Sequence, residues 1–349
     1  MTSSSNTSPG AEPSSRPRAS INDVAKHAGV SAQTVSRVAN GQTNVRASTR
    51  ERVRVSMQAL GYRPNSAARI LKSGRFRSIG FVTFNLATLG TERTLNAIAE
   101  ACEAAGYTTT LLPVEDPTQL EVAGAFSRLE EQAVDGIILV MSAELDSLDE
   151  LKLTADLPLV IVDSDAELPY TIVDTDQEQG ARIALEHLLG LGHRDIAHIS
   201  GPATSFSAKR RAAAYRQIMS DAGLEPRPVV VGDWTATSGM ERMRDLLAST
   251  QPPTAVFAGN DQMALGAMHA IHAHGWKVPD DVSVVGFDDT DDAAAYWPAL
   301  TTVHQNFDAV GRQATELLLS IIDGDPNGTQ KVLVPTRLVV RASTGPARG

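Results

Sequence analysis

From residue 78 onward the chain alternates short apolar runs with amphipathic helical patterns, and nothing else in it narrows the fold as much. SIGFVTF, YTTTLLPV, GIILVM and LPLVIVD have the continuous apolar character of strands in a buried parallel sheet. TERTLNAIAEACEAA and QLEVAGAFSRLEEQ lie between the first three and carry helical periodicity. A second series follows: DIAHISGP, the helix AKRRAAAYRQIMSDAG, PVVVGDW, the helix SGMERMRDLLAS, TAVFAGN, the helix DQMALGAMHAIHAHG and DVSVVGFDD, with KVLVPTRLVVRAS as the last strand. Such alternation predicts two doubly wound parallel sheets, hence an α/β two-lobed body. In open α/β sheets ligands bind at the carboxyl ends of strands. Polar or aromatic residues recur there: Asp163 ends LVIVD, Trp234 ends VVVGDW, Asn260 ends AVFAGN and Asp288 ends VVGFD.

Residues 20–61 read differently, as three short helices: INDVAKHA, then AQTVSRVA after Gly29-Val30, then STRERVRVSMQAL. Ser20 can cap the first with Asp23 nearby, Ser31 the second, and Ser48-x-x-Glu51 is a capping box for the third. Val24, Ala25 and Ala28 face Val35, Val38 and Ala39, closing a small core with Val53, Met57 and Leu60. A helix pair joined by a tight glycine turn is a helix-turn-helix, whose second helix enters the major groove of DNA. Its leading residues here are Ala32, Gln33 and, one turn later, Arg37. Gln can bridge adenine, Arg can bridge guanine, and an Ala methyl can only touch a thymine methyl or leave space. Asn22, Ser31, Thr34, Ser36, Asn40 and Asn44 carry the short polar side chains that hold phosphates.

The net charge of −10 over 349 residues argues against nucleic acid until it is divided by position. Residues 16–77 hold thirteen Lys or Arg against two acids, a net +11, and the remainder carries −21. A cationic module on an anionic body suits a polyanion, because Lys and Arg neutralise phosphates and release condensed counterions. The lone Cys102 excludes an internal disulfide and fits a reduced, cytoplasmic setting as a small buried hydrophobe. Residues 1–19 are rich in Ser and Pro without a secretory apolar stretch, and read as a disordered tail; no run is apolar enough to span a bilayer. Catalytic and cofactor signatures are missing: there is no Gly-rich phosphate loop, zinc-spaced Cys/His set or nucleophile elbow. His269, His272 and His274 read as a solvated helix end rather than a metal site, so no metal or cofactor is expected.

DVAKHAGVSAQTVSRVANG, followed by TRERV and LGYRPNSAAR with Leu71, resembles the headpiece and hinge of the LacI/GalR family of bacterial regulators. The likeness covers nearly the whole chain and strengthens after residue 200, in GDWTATSG, NDQMALGAM and VVGFDDTDD…ALTT. It implies a helix-turn-helix domain at 20–63, a hinge at 64–76, a periplasmic-binding-protein-like effector and dimerisation domain at 77–343, and a tail at 344–349. It implies that residues 65–71 form a hinge helix ordered on operator DNA, with Asn65 and Ala68 at the DNA and Leu71 as a minor-groove wedge. That role is physically reasonable, since a bare seven-residue helix is unstable in water and an inserted apolar side chain kinks the duplex.

By the same likeness Arg211, Trp234, Asn260, Asp288 and Phe307 fall on inducer-contacting positions, joined by Asp163 and Gln305. The residue types suit a sugar: Arg211 is a donor fork, Asp163 and Asp288 accept, Asn260 does both, and Trp234, Phe84 and Phe307 are stacking walls. Phe84 and Val140 stand where the nearest pattern is polar, which leaves the sugar unnamed, a galactoside being the first guess. The implied function is a homodimeric repressor of sugar-utilisation genes, bound to a pseudo-palindromic operator and released by its inducer. With TGPARG after the last strand, dimers rather than tetramers held by a heptad helix are expected. The rival readings are a regulator with a purine-type co-repressor and a two-lobed sugar-transport protein. Gln33→Ala is expected to relax base preference without changing inducer affinity, which binding to a panel of operator variants would measure.

Overall fold

Ser20 opens helix α1 (Ile21–Ala28) by accepting the Asp23 N–H on its hydroxyl, while the Asp23 carboxylate takes the Ser20 N–H at 2.8 Å. This reciprocal pairing satisfies two otherwise orphaned donors and holds the Asp23 carboxyl below its ordinary value. Gly29, at φ 62°, closes α1 in the left-handed conformation that glycine adopts freely. Helix α2 (Ala32–Ala39) starts behind Ser31, whose hydroxyl accepts the Thr34 N–H at 3.1 Å. The third helix departs from expectation. α3 (Ala47–Ala59) begins behind Arg46, which makes no side-chain cap, so Ser48 and Glu51 already lie inside the helix. A capping residue needs an extended backbone, which Ser48 lacks there. Val24, Ala25, Ala28, Val35 and Val53 form the buried core, with Val38, Met57 and Leu60 partly buried against it. His27 Nδ1 meets Ser56 Oγ at 3.0 Å and ties α1 to α3.

In the computed structural model the chain divides into two units, Met1–Phe76 and Arg77–Gly349. The structure describes residues 19–39, 44–62, 74–84, 88–115, 118–141, 157–164, 169–325 and 329–348. The hinge positions Asn65, Ala68 and Leu71, the headpiece position Asn40 and residues 1–18 of the tail expected at 1–19 lie outside the described residues.

The second unit contains two six-stranded sheets. The first is built from β1 (Ser78–Thr83), β2 (Thr108–Pro113), β3 (Gly136–Val140), β4 (Leu159–Val162), β5 (Thr171–Thr175) and β11 (Lys331–Val334), in the order β11-β5-β4-β3-β1-β2, all parallel. The second takes β6 (Ile196–Ser200), β7 (Val230–Val231), β8 (Ala255–Ala258), β9 (Ser283–Asp288), β10 (Thr301–His304) and β12 (Arg337–Val339), in the order β12-β10-β9-β8-β6-β7. Its pairs are parallel except β10–β12, which is antiparallel. Helices α4 (Leu89–Ala104), α5 (Gln119–Glu131) and α10 (Phe307–Ile322) pack on the first sheet. Helices α6 (Gln177–Gly190), α7 (Phe206–Asp221), α8 (Ala236–Leu247) and α9 (Asp261–Ala273) pack on the second. Cys102 is buried between α4 and α10, with Thr315 3.7 Å away.

The chain passes between the sheets three times: from β5 to α6, from β10 to α10, and from β11 to β12. The apolar pattern did not predict this weave. The run KVLVPTRLVVRAS is not one strand: Pro335, which has no N–H to donate, separates β11 in one sheet from β12 in the other. Residues 344–348, expected as a tail, are fixed to the second lobe. Gly345 N–H donates to Ser283 Oγ at 3.0 Å, and Ala347 N–H donates to the Leu191 carbonyl at 2.9 Å. These bonds occupy backbone groups that a free tail would leave to water. Among the described residues no helix is long and apolar enough to cross a membrane.

Helices α8 and α9 approach through two glycines. A Cβ on Gly239 would overlap the Met263 backbone, and one on Gly266 would overlap the Ala236 carbonyl. Since backbone cannot yield as a flexible side chain can, Gly266→Ala is expected to destabilise the second lobe by about 1–3 kcal/mol or more, read as a lower urea midpoint.

Candidate functional site

In the headpiece, Gln33 stands exposed in the first turn of α2 beside half-buried Ala32, with Arg37 half-buried one turn on. Asn22, Ser31 and Asn44 are also exposed. Ser31 and Thr34 are engaged with each other, their hydroxyls 2.9 Å apart, so the capping pair fixes the leading edge of the helix. Ser36 is half-buried on α2. The apolar face that seats α2 on α1 and α3 thus leaves its polar leading edge facing outward, the arrangement a base-reading helix requires.

In the second unit a cavity of about 270 Å³ opens between the two sheets, near the lower end of the ~300–1,000 Å³ common for small-molecule sites. All eight residues expected there line it: Phe84, Asp163, Arg211, Trp234, Asn260, Asp288, Gln305 and Phe307, together with Val140. The first sheet supplies Phe84 after β1, Val140 at the end of β3 and Asp163 after β4; the second supplies Asp288 at the end of β9 and Gln305 after β10. Three of these residues have positive φ although none is glycine: Asp163 at 59°, Trp234 at 72° and Asp288 at 114°. Such backbone costs of order 1–3 kcal/mol per residue and gathers at functional sites. Here it turns each strand end sharply at the cavity wall.

Arg211 organises the floor. Its side chain, 3% exposed, donates from Nε to Gln177 Oε1 at 2.8 Å and from Nη1 to the Gly259 carbonyl. The guanidinium carbon lies 3.6 Å from the centre of the Phe287 ring and 5.6 Å from that of Trp234. Among the described residues it has no carboxylate within ion-pair distance. Burial pulls its pKa down, and the fields of Asp288 and Asp163 push it back up. The indole of Trp234 rests against Gly201 and Gly259; a Cβ on Gly201 would fall within the ring. Asn260 caps α9 through its Oδ1, which accepts the Met263 N–H, and its Nδ2 donates to the Trp234 carbonyl. It therefore shapes the wall as well as facing the cavity.

Three buried carboxylates act on this cation through their fields rather than by direct pairing. Burial raises Asp288 to about 6, with Arg211 and the hydrogen bond from Gln305 opposing the shift. Burial likewise raises Asp163 to about 6 against the fields of Arg211 and Arg210, and among the described residues its Oδ1 has no hydrogen-bond partner. A buried carboxylate oxygen without a donor is costly, so an incoming donor would be well received. Asp174 is raised by burial and by neighbouring Asp163, while Arg210, 2.5 Å away, opposes the shift.

Asp174, Thr175, Gln177, Thr91 and Ser205 also line the cavity, and the sequence reading did not find them. The first three sit on β5 and the start of α6, two elements absent from that reading because TIVDT is short and polar and QEQGARIALEHLLG is only weakly amphipathic. A second carboxylate at the end of an alternating segment was the available signal.

Residues 20–65 match the profile of bacterial regulatory proteins of the lacI family, and residues 185–344 that of a periplasmic binding protein-like domain. The lactose operon repressor of Escherichia coli (strain K12) is 36% identical over 326 residues, 92% of this chain and 89% of that protein. The transcriptional repressor PurR of Pasteurella multocida (strain Pm70) is 36% identical over 330 residues, 93% of this chain and 98% of its own. The crystal structure of the lac repressor dimer bound to operator and the anti-inducer ONPF aligns with a TM-score of 0.82 at 34% identity, covering 94% of this chain and all of that one. With that headpiece profile and relatives matched over almost its whole length, the chain belongs to the lacI family of bacterial regulatory proteins and is a DNA-binding transcriptional repressor of that family.

Proposed function

We propose that two copies of this chain bind a pseudo-palindromic operator, and that a small neutral sugar in the Arg211–Asp288 cavity releases them. In this reading Gln33, Arg37 and Ala32 meet base edges, the short polar residues of the headpiece hold phosphates, and residues 64–76 act as the hinge, with Leu71 as the minor-groove wedge. The dimer and its two-fold operator follow the lac repressor dimer structure. The second unit then acts as a sensor rather than an enzyme.

The observation that carries the sugar is the acceptor-rich cavity. Asp163 and Asp288 face the buried Arg211 guanidinium while Asp174 is paired with Arg210, and Trp234, Phe84 and Phe307 supply apolar surface. Each sugar hydroxyl brings one donor and two acceptor lone pairs, so a polyol can serve carboxylates and Arg211 together while its C–H face meets an aromatic ring. A purine base has fewer donors to share between Asp163 and Asp288. The purine-type co-repressor is nevertheless the second reading, because the PurR relative matches at the same identity.

Calorimetry with methyl β-galactoside, methyl β-glucoside and hypoxanthine separates the two. Binding of a glycoside that also lowers operator affinity is the expected result, whereas binding of hypoxanthine alone, with tighter operator binding, overturns the sugar. Arg211→Ala is expected to weaken the bound glycoside about 10- to 100-fold, the cost of charge-assisted hydrogen bonds. The variant should then stay on its operator, in a gel-shift titration, at sugar concentrations that release the wild type.

Affinity should also depend on pH. Hydroxyl donors bond ionised Asp163 and Asp288 more strongly than the neutral acids, and burial raises both to about 6 in the empty cavity. Affinity is therefore expected to fall up to about 100-fold between pH 7 and pH 5, with proton release on binding near pH 6, measured by calorimetry in buffers of different ionisation enthalpy. Stability of the empty protein moves the other way. Both folded values lie above the ordinary 3.8, so this contribution is fully present below that value and is lost as pH rises through 6.

A further inference from the structure

The two charged ends of the cavity are joined through the crossovers between the lobes. The first crossover leaves β5 and places Gln177 as the first residue of α6; the second leaves β10 and places Gln305 just before α10. Both side chains are buried, at 4% and 6% exposure. Arg211 Nε donates to Gln177 Oε1 at 2.8 Å, Gln177 Nε2 donates to Gln305 Oε1 at 3.5 Å, and Gln305 Nε2 donates to Asp288 Oδ1 at 2.6 Å.

The direction of this chain is imposed from both ends. A guanidinium only donates and an ionised carboxylate only accepts, so Gln177 must turn its oxygen to Arg211 and Gln305 its nitrogen to Asp288. The remaining nitrogen of Gln177 and oxygen of Gln305 then face each other with matching polarity. An amide at each position can accept on one side and donate on the other; a carboxylate cannot donate and a hydrocarbon can do neither. The outer links are charge-assisted, and the 3.5 Å central link is the long one, spanning two different crossovers. The third crossover is tied separately: Gln179 Oε1 accepts the Thr336 N–H at 2.9 Å, and Gln179 Nε2 donates to the Thr336 carbonyl at 3.2 Å.

We propose that Gln177 and Gln305 are positioning residues forming a one-way amide relay between Arg211 and Asp288, through which engagement of the cavity is felt at two of the three interlobe crossovers. The relay rests on the reading of this cavity as the effector site. A ligand that takes a hydrogen bond from Arg211 or gives one to Asp288 competes with an end of the relay. The compensating movement falls on the long central link, where one crossover meets the other.

Hydrogen exchange read by mass spectrometry on the full-length, ligand-free protein tests the relay. Gln177→Glu keeps an acceptor for Arg211 and nearly the same shape but cannot donate to Gln305. It should leave the peptides around Arg211 at wild-type rates, loosen 171–180, where the Gln177 side chain also bonds Asp174, and speed exchange across 301–310 a few-fold and at most about tenfold, the effect of one lost hydrogen bond. Gln305→Glu puts a charge beside Asp288 and should loosen both 301–310 and 171–180. The double variant should be no faster at 301–310 than the faster single, as expected for residues acting in one network. Gln179→Leu should instead loosen 334–340. If Gln177→Glu leaves 301–310 unchanged, or the two substitutions multiply, the relay is wrong. If a glycoside binds while 301–310 stays at the wild-type rate in Gln177→Glu, the relay falls and the effector reading stands. If neither glycosides nor hypoxanthine bind while the exchange pattern is as expected, the effector reading falls and the amide link between crossovers stands.

Discussion

The buried guanidinium of Arg211 is the interaction around which the second unit is arranged. A charge held at 3% exposure without an ion-pair partner among the described residues must be supported by dipoles and distant fields. The Gly259 carbonyl, the Gln177 amide, two aromatic faces and the fields of Asp288 and Asp163 provide that support. They come from segments of both sheets and the helix between them, so the position of Arg211 depends on both lobes. Beside it, among the described residues, Asp163 Oδ1 has no hydrogen-bond partner, which is where the proposed ligand would supply a donor.

Topology joins the two walls of that cavity. The chain does not complete one lobe before starting the other, but crosses three times and ends with one strand in each sheet. Two crossovers carry the glutamines that touch the cavity, and the third is tied by Gln179 to Thr336. In the proposed reading the residues that meet the ligand and those that join the lobes are therefore the same, which is the physical requirement for a ligand to bias one lobe orientation over another.

Much of this was legible beforehand where short-range physics decides. The cap at Ser20, the turn at Gly29, the core of Val24, Val35 and Val53, and most strands followed from hydrogen-bond accounting and hydrophobic period. The cavity residues at the ends of β4, β9 and the neighbouring loops were found because parallel sheets bind ligands there. Ser48 was misjudged as a cap, since a capping pattern does not say which of several adjacent residues leaves the helix first. β5, α6 and β10 were missed because their apolar signals are short or diluted, although tertiary packing buries them on one face; α10, FDAVGRQATELLLSII, carries a clear helical period that was legible.

The amino-acid order was enough to establish a cationic three-helix module ahead of an anionic, alternating α/β body, because charge, capping and periodicity act over a few residues. The partition of strands between sheets, the split of the last run at Pro335 and the union of Arg211 with Gln177, Gln305 and Asp288 arose only in three dimensions. Those contacts join positions up to 128 residues apart, and no local propensity records which distant backbone will supply a donor or acceptor to a buried charge.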